Sequence, residues 1–178
     1  VMGYSTMKRD HSHYAGQIGG LGGKNTNDLA KETDLAIAVG TKLADFTTGS
    51  WANFENEKFK LVSINVSRFD ANKHLAQAVV GDAKVSLIEL SKALGDWKVG
   101  DEWNEKSQRE LKIWNEHIDK ESAPTNQEVP SYIQVIGAIY RNSEPTDIAV
   151  TAAGGLVGEV VQVWRPKELN THESEWGF

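Results

Sequence analysis

An α/β fold built on a parallel sheet is the class this sequence predicts, and three observations predict it. Residues 35–39 and 61–66 are short, largely apolar runs separated by a loop-and-helix length of chain. Such runs read as strands buried on both faces of a parallel sheet, joined by the right-handed crossover that a sheet of this kind requires. A third run, Ala78 to Val80, leads through Gly81 and Asp82 into a helical pattern, and a strand, a glycine turn and an apolar stretch follow one another again across residues 148–164.

The elements follow in order. The chain opens on a glycine-rich stretch, residues 16–23, after which Asn25 or Thr26 is suited to cap a helix running to about Glu32. The first strand ends in Gly40-Thr41 and the second covers residues 61–66. In the helix over residues 83–94, Leu87, Leu90 and Leu94 fall on one side, and Gly95 stops it. Residues 96–128 are rich in charge and amide and hold no strand candidate; Trp103, Leu111, Trp114 and Ile118 mark one stripe of a long helix. Pro124-Thr125-Asn126-Gln127 reads as a linker. The predicted organisation is a first unit over residues 1–95, a helical linker over 96–127 and a second unit over 128–178. In the second unit Pro130 and Ser131 open a helix, Pro145-Thr146-Asp147 turns into a strand at 148–151, and residues 152–159 form a second glycine loop. The chain stops at Trp176-Gly177-Phe178 with neither a cap nor a polar tail, which reads as a cut end. The second unit is therefore expected to be incomplete, exposing apolar surface from Ile133, Ile136, Val150, Val161 and Trp164, and so either to pack on the first unit or a second chain or to be mobile.

Composition excludes several classes of function. At 178 residues, 39% hydrophobic and 25% charged, the chain has the balance of a globular protein rather than a disordered or membrane-embedded one. No apolar run approaches the roughly 20 residues that span a bilayer, and no charged-then-apolar segment opens the chain as a signal peptide would, so a cytoplasmic protein is expected. A net charge of −6 without a Lys/Arg cluster argues against a nucleic-acid partner. The absence of cysteine removes disulfides, thiolate metal sites and cysteine nucleophiles together. His11 and His13 stand close, but no third ligand sits at metal-site spacing, so no metal site is expected from them.

The glycine segments invite a phosphate-binding reading, because glycine lets a backbone approach an anion closely. The first does not follow a clear strand, so a tight structural turn and a binding loop both remain open for it. The loop from Gly40 to Gly49 follows the carboxyl end of a predicted parallel strand, the edge at which open α/β sheets bind ligands; Lys42 and Asp45 are either contacts there or simply solvated. The second glycine loop sits between a strand and a helix start, where backbone amides of Gly154 to Gly158 suit an anion. Glu159 and Gln162 are the polar side chains in the turns that follow; a carboxylate repels a diphosphate, so Glu159 fits a capping role better. No Ser/His/Asp set, no paired catalytic carboxylates and no Walker-type Gly-Lys-Ser/Thr occur, and no catalytic residue is assigned.

Gly19-Gly20-Leu21-Gly22-Gly23 together with Asp34-Leu35 and Gly40-Thr41-Lys42-Leu43-Ala44-Asp45-Phe46 resemble the central domain of thiamin diphosphate enzymes of the acetohydroxyacid synthase type. Val129-Pro130-Ser131, Asp147-Ile148, the loop from Ala152 to Glu159, Trp164-Arg165 and Glu175-Trp176-Gly177-Phe178 resemble the opening of that superfamily's pyrophosphate-binding domain. Asp45-Phe46-Thr47-Thr48-Gly49-Ser50, Ile64-Asn65-Val66 and Phe69-Asp70-Ala71-Asn72-Lys73-His74 are most similar to the branch of hydrolases that open a cyclic 1,2-diketone, a trihydroxycyclohexanedione, in myo-inositol degradation. The resemblance implies a Rossmann-like central domain followed by a partial second α/β domain.

It also implies thiamin diphosphate and Mg2+ as cofactors of the intact parent, with Gly154, Gly155, Leu156, Gly158 and Glu159 opening the diphosphate-binding region. The activating glutamate is implied to lie upstream and the metal ligands downstream, so this piece alone is expected to be inactive. In relatives the central domain holds FAD or an ADP moiety, at positions matching Gly20, Leu21, Gly22, Thr41 and Lys42. Lys42 replaces an arginine common there and loses planar bidentate reach to phosphate, and the second strand ends in Asn65 where FAD-binding relatives carry an acid. That nucleotide site therefore reads as vestigial. The implied partners are a cyclic diketone substrate, the remaining domains of the parent chain and further copies in a homodimer or homotetramer. A carboligase or decarboxylase of the acetolactate synthase kind, and a non-catalytic nucleotide-binding module, are the alternatives.

Overall fold

Several helices here begin or end in a local device, and not all of these are the ones expected. In the computed structural model, which describes residues 6–175, helix α1 (Lys24–Glu32) starts at Gly23 without a capping side chain. Asn25 and Thr26, expected as caps, are buried and turn back on the preceding segment. Asn25 Nδ2 donates to Ala15 O at 3.1 Å and Thr26 Oγ1 to Gln17 O at 2.6 Å. Their hydrogen bonds go into fixing the glycine-rich stretch rather than into orphan amides of the first turn.

Strands β1 (Leu35–Val39), β2 (Lys60–Asn65) and β3 (Gln77–Val80) form a parallel sheet in that order, with Val39 opposite Ile64 and Ile64 opposite Val79. The crossovers carry two one-turn helices, α2 (Asp45–Thr48) and α3 (Arg68–Ala71), the latter capped by Ser67, whose Oγ accepts from Asp70 N at 3.3 Å. Ala38, Leu43 and Leu61 make the core of one face, covered by Trp51 and Phe59.

Residues 61–66 contain the interior strand that was expected, and Ile64 is only 3% exposed. Residues 35–39 do not meet the same expectation. β1 is an edge strand among the described residues, and Leu35, Ile37 and Val39 are 45%, 44% and 37% exposed. A continuous apolar run reports what a strand is able to bury; it does not report which neighbours are present. In place of a further strand, β1 borders an open cavity of about 1040 Å³. Helix α4 (Ala83–Leu94) shows the same discrepancy. Gly95 ends it as predicted and the Asp82 side chain caps its start, yet it buries no residue, and Leu87 and Leu94 stay exposed.

Helix α5 (Asp101–Glu121) realises the predicted stripe, with Leu111 and Ile118 buried and Trp114 packed beside them. It touches both halves of the molecule. Lys106 pairs with Glu32 of α1, and Gln108 Nε2 donates to Tyr14 O at 2.9 Å. At its other end it meets helix α6 (Tyr132–Arg141) and helix α7 (Val157–Val163). α6 begins in a reciprocal capping box between Ser131 and Gln134, which satisfies two backbone amides at once. Strand β4 (Ala149–Ala152) pairs in parallel with β5 (His172–Glu175). β5 was not anticipated, because its His-Glu-Ser-Glu sequence carries no apolar alternation. A second core of Ile118, Ile136, Val160, Val163 and Trp164 joins α5, α6 and α7.

The expected apolar surface of the second unit is thus largely covered. Ile136, Val161 and Trp164 are buried, while Val150 on β4 and Ile148 just before it remain exposed. The closing Trp176-Gly177-Phe178 lies outside the described residues.

The contrast between the two strands is measurable by urea denaturation of the 178-residue chain. Ile64→Ala is expected to cost about 2–5 kcal/mol, the range for truncating a buried isoleucine. Ile37→Ala, on the uncovered edge, is expected to cost under about 1 kcal/mol. Equal losses would show that β1 is buried in solution.

Candidate cofactor-binding site

The second glycine loop joins the carboxyl end of β4 to α7. Gly154 sits at φ 144°, a conformation closed to L side chains, and Cβ atoms built at Gly154 or Gly155 meet nothing within 4 Å. These two glycines do not make room for protein; they leave an open stretch of backbone, which fits the close approach of an anionic group. α7 follows from Leu156 with no side-chain cap, and it buries Val157, Val160, Val161 and Val163.

The first glycine segment has a different character. Gly19 sits at φ 97°, and a Cβ there would collide with Phe46 O. Gly20 N donates to Phe46 O at 2.8 Å and Gly22 N to Gly19 O at 2.9 Å. Asn27 holds both the N–H and the carbonyl of Gly19, at 2.8 and 3.1 Å. A Cβ at Gly22 would collide with Gln17 O, and one at Gly23 would lie 2.8 Å from the Trp114 indole nitrogen. Close backbone packing accounts for these glycines.

The structure brings the two glycine segments together. Gly20, Leu21 and Gly22 share a cleft of about 320 Å³ with Gly158 and Glu159, floored by Trp114 and Ile118 of α5. The five residues assigned to a nucleotide site are not brought together in one cavity. Thr41 lines the large cavity beside β1 and not that cleft, and its carbonyl accepts from Asn65 Nδ2 at 3.1 Å. Lys42 is exposed, and its carbonyl accepts from Lys73 Nζ at 3.3 Å.

Gln162 lines the same cleft, and its amide is taken up within the protein: its Nε2 donates to Leu21 O at 2.6 Å and its Oε1 accepts from Trp114 Nε1 at 3.0 Å. Its place in the turns after the second glycine loop was legible in the sequence; the partners, more than 40 residues away in each case, were not. His11 and His13 form a polar turn in which His11 Nδ1 accepts from His13 N at 3.1 Å. Among the described residues no group of three His, Asp or Glu side chains is placed to hold a metal ion.

Two buried groups were not singled out by sequence. Tyr14 is buried beside the large cavity, its hydroxyl has no hydrogen-bond partner, and burial raises its phenol above the usual value, with Arg9 opposing. His172 on β5 has its imidazole lowered, first by burial; Arg9 acts in the same direction and Glu173 against it.

The chain belongs to the thiamine pyrophosphate enzymes: residues 1–90 match the family described as "Thiamine pyrophosphate enzyme, central domain". Among curated proteins it is similar to several named 3D-(3,5/4)-trihydroxycyclohexane-1,2-dione hydrolase. That of Geobacillus thermodenitrificans (strain NG80-2) is 32% identical over 99% of this chain and 30% of its own length. The protein of that name from Clostridium tetani (strain Massachusetts / E88) is also 32% identical, over 99% of this chain and 31% of its own. One from Bacillus cereus (strain AH820) is 31% identical, over 99% and 31%. The chain therefore spans about 30% of the length of the curated relatives it matches.

Two measurements check this description. Gly22→Ala is expected to destabilise the chain by about 1–3 kcal/mol, the usual cost of forcing atoms into a packed site, whereas Gly155→Ala, in open space, is expected to change stability by less than about 0.5 kcal/mol. The lowered His172 imidazole resists a proton that the unfolded chain accepts, so its contribution is present above about pH 6.5 and is lost as pH falls through the folded value. His172→Gln is expected to flatten the fall in melting temperature below that pH; an unchanged slope would place the effect elsewhere.

Proposed function

We propose that this chain is a middle section of a thiamin diphosphate-dependent hydrolase that cleaves a carbon–carbon bond of a trihydroxycyclohexane-1,2-dione. The observation that supports this reading is that the similarity to proteins of that name runs over 99% of the chain, across both glycine segments. In this reading residues 1–95 are the greater part of a central domain, 96–127 a helical connection, and 128–178 the start of the domain that holds the cofactor's diphosphate.

The residues that would hold thiamin diphosphate are Gly154, Gly155, Leu156 and Gly158, through backbone amides, with Glu159 beside them and Mg2+ bound by residues of the parent outside this chain. When bound, the cofactor supplies a stabilised carbanion for breaking the carbon–carbon bond. The contribution of this chain is steric and electrostatic. Gly154 and Gly155 keep Cβ atoms out of the approach, which suits an anion. Glu159 is better kept from the diphosphate oxygens than placed against them, and it lines the cleft shared with Leu21. FAD is not part of the proposal, since the amides of Gly20 and Gly22 are already bonded within the protein. The parent is read as a cytoplasmic homodimer or homotetramer; no helix among the described residues is long and apolar enough to cross a membrane.

The test pairs two proteins in calorimetric titrations with thiamin diphosphate and magnesium. The 178-residue chain is expected to show no useful binding, because a few exposed amides, each worth about 1–2 kcal/mol net, do not offset an association cost of at least about 4 kcal/mol. The full-length parent is expected to bind, and to hydrolyse trihydroxycyclohexane-1,2-dione in preference to ligating or decarboxylating pyruvate. Micromolar binding by the short chain alone would overturn the division of the site.

A further inference from the structure

The 154–158 loop has few protein neighbours of its own: residues 152–156 are exposed, and nothing lies within 4 Å of the Cβ positions of Gly154 and Gly155. Its position is inherited from β4 on one side and α7 on the other. α7 has seven residues, too few to hold a helical conformation alone, so its orientation follows from what it docks against. Val160 and Val163 anchor it in the second core. Two polar anchors add to these: the Val161 carbonyl, which accepts from Arg9 Nη2 at 3.3 Å, and Gln162, whose amide joins three separate segments: Trp114 of α5, Leu21 of the first glycine segment, and α7 itself.

The orientation of that amide is not arbitrary. An indole N–H only donates and a carbonyl only accepts, so Oε1 must face Trp114 and Nε2 must face Leu21, as the geometry has it. Gly158, one turn before Gln162, puts its Cβ position 3.6 Å from Leu21 Cδ2, so α7 presents one face to Leu21 through both residues. The absence of a Cβ at Gly23 allows the indole to come this close, since one there would sit 2.8 Å from Trp114 Nε1.

We infer that Gln162 is a positioning residue for the cofactor: by clamping α7 to Leu21 and Trp114 it fixes the 154–158 loop where the diphosphate is received. The first glycine segment then acts as the seat for α7, with the Leu21 carbonyl as its acceptor. This rests on the cofactor reading above and adds to it a residue that does not touch the cofactor.

The test uses the full-length protein and three variants. Gln162→Met keeps the volume and removes both hydrogen bonds; Trp114→Phe removes the indole donor only; Gln162→Glu keeps an acceptor for the indole and loses the donor to Leu21. Thiamin diphosphate affinity is measured at saturating magnesium, alongside kcat at saturating cofactor and the melting temperature without cofactor. Gln162→Met is expected to weaken cofactor binding about tenfold, the scale of one to two lost hydrogen bonds, with a smaller change in kcat once the cofactor is saturating. Trp114→Phe and Gln162→Glu are expected to weaken it less. If Gln162→Met does not fold, the other two variants read the same quantity. Lower melting temperatures with unchanged cofactor affinity would make the clamp merely structural and overturn the inference, leaving the cofactor reading intact. Failure of the unaltered parent to bind thiamin diphosphate would overturn both.

Discussion

The packing of α5 against α1 at one end and against α6 and α7 at the other is the constraint on which the rest of this structure depends. Neither the three-stranded nor the two-stranded sheet is large enough to bury two faces, and a two-stranded sheet is marginal by itself in water. The helix supplies what each lacks. Its N-terminal half lies along α1 and carries Gln108 to the Tyr14 carbonyl, and its C-terminal half gives Ile118 to the core shared with α6 and α7. Arg165, just past α7, closes the same junction by pairing with Asp119 at 2.7 Å and donating to Asn115 O at 3.1 Å. A segment whose charge and amide content read as a connection between units is, physically, the element both units pack on.

The two glycine segments show how one residue type serves opposite ends. At Gly19, Gly22 and Gly23 the missing Cβ is space occupied by a carbonyl, a backbone or an indole. At Gly154 and Gly155 it is space left empty. Composition cannot separate these cases, which is why both readings of the first segment stood open until its neighbours were placed. The polar side chains around it decide the matter: Asn25, Thr26 and Asn27 all spend their hydrogen bonds on that segment, and its geometry is over-determined by them.

What was legible in the sequence was local. β1 and β2 were marked by their apolar runs, α4 by Leu87, Leu90 and Leu94 on one side and Gly95 at its end, α5 by a stripe at helical spacing and α6 by Pro130 and Ser131. What was not legible depends on contacts distant in sequence. The burial of Ile64 and the exposure of Ile37 follow from the order of strands, which no property of either run encodes. β5 consists of polar residues whose extended conformation is imposed by pairing with β4. In the candidate site the sequence marked a glycine loop and the polar residues after it, but nothing in it tied Gln162 to Leu21, 141 positions earlier.

The free edge of β1 has a consequence for how this polypeptide behaves outside cells. Leu35, Ile37 and Val39 offer an uninterrupted, β-branched-rich template with no proline and no charge along the strand, and natural sheets normally blunt such edges with lysine, a bulge or a covering helix. The nearest charges, Asp34 and Lys60, flank its start only. Two copies meeting along this border would each satisfy the other's unpaired amides and bury the same apolar row. The mutual repulsion of a −6 chain, screened over about 8 Å at physiological salt, is a weak guard at that range. The border of β1 is therefore one place where copies of the isolated polypeptide can pair, and rising ionic strength removes some of the repulsion that opposes it.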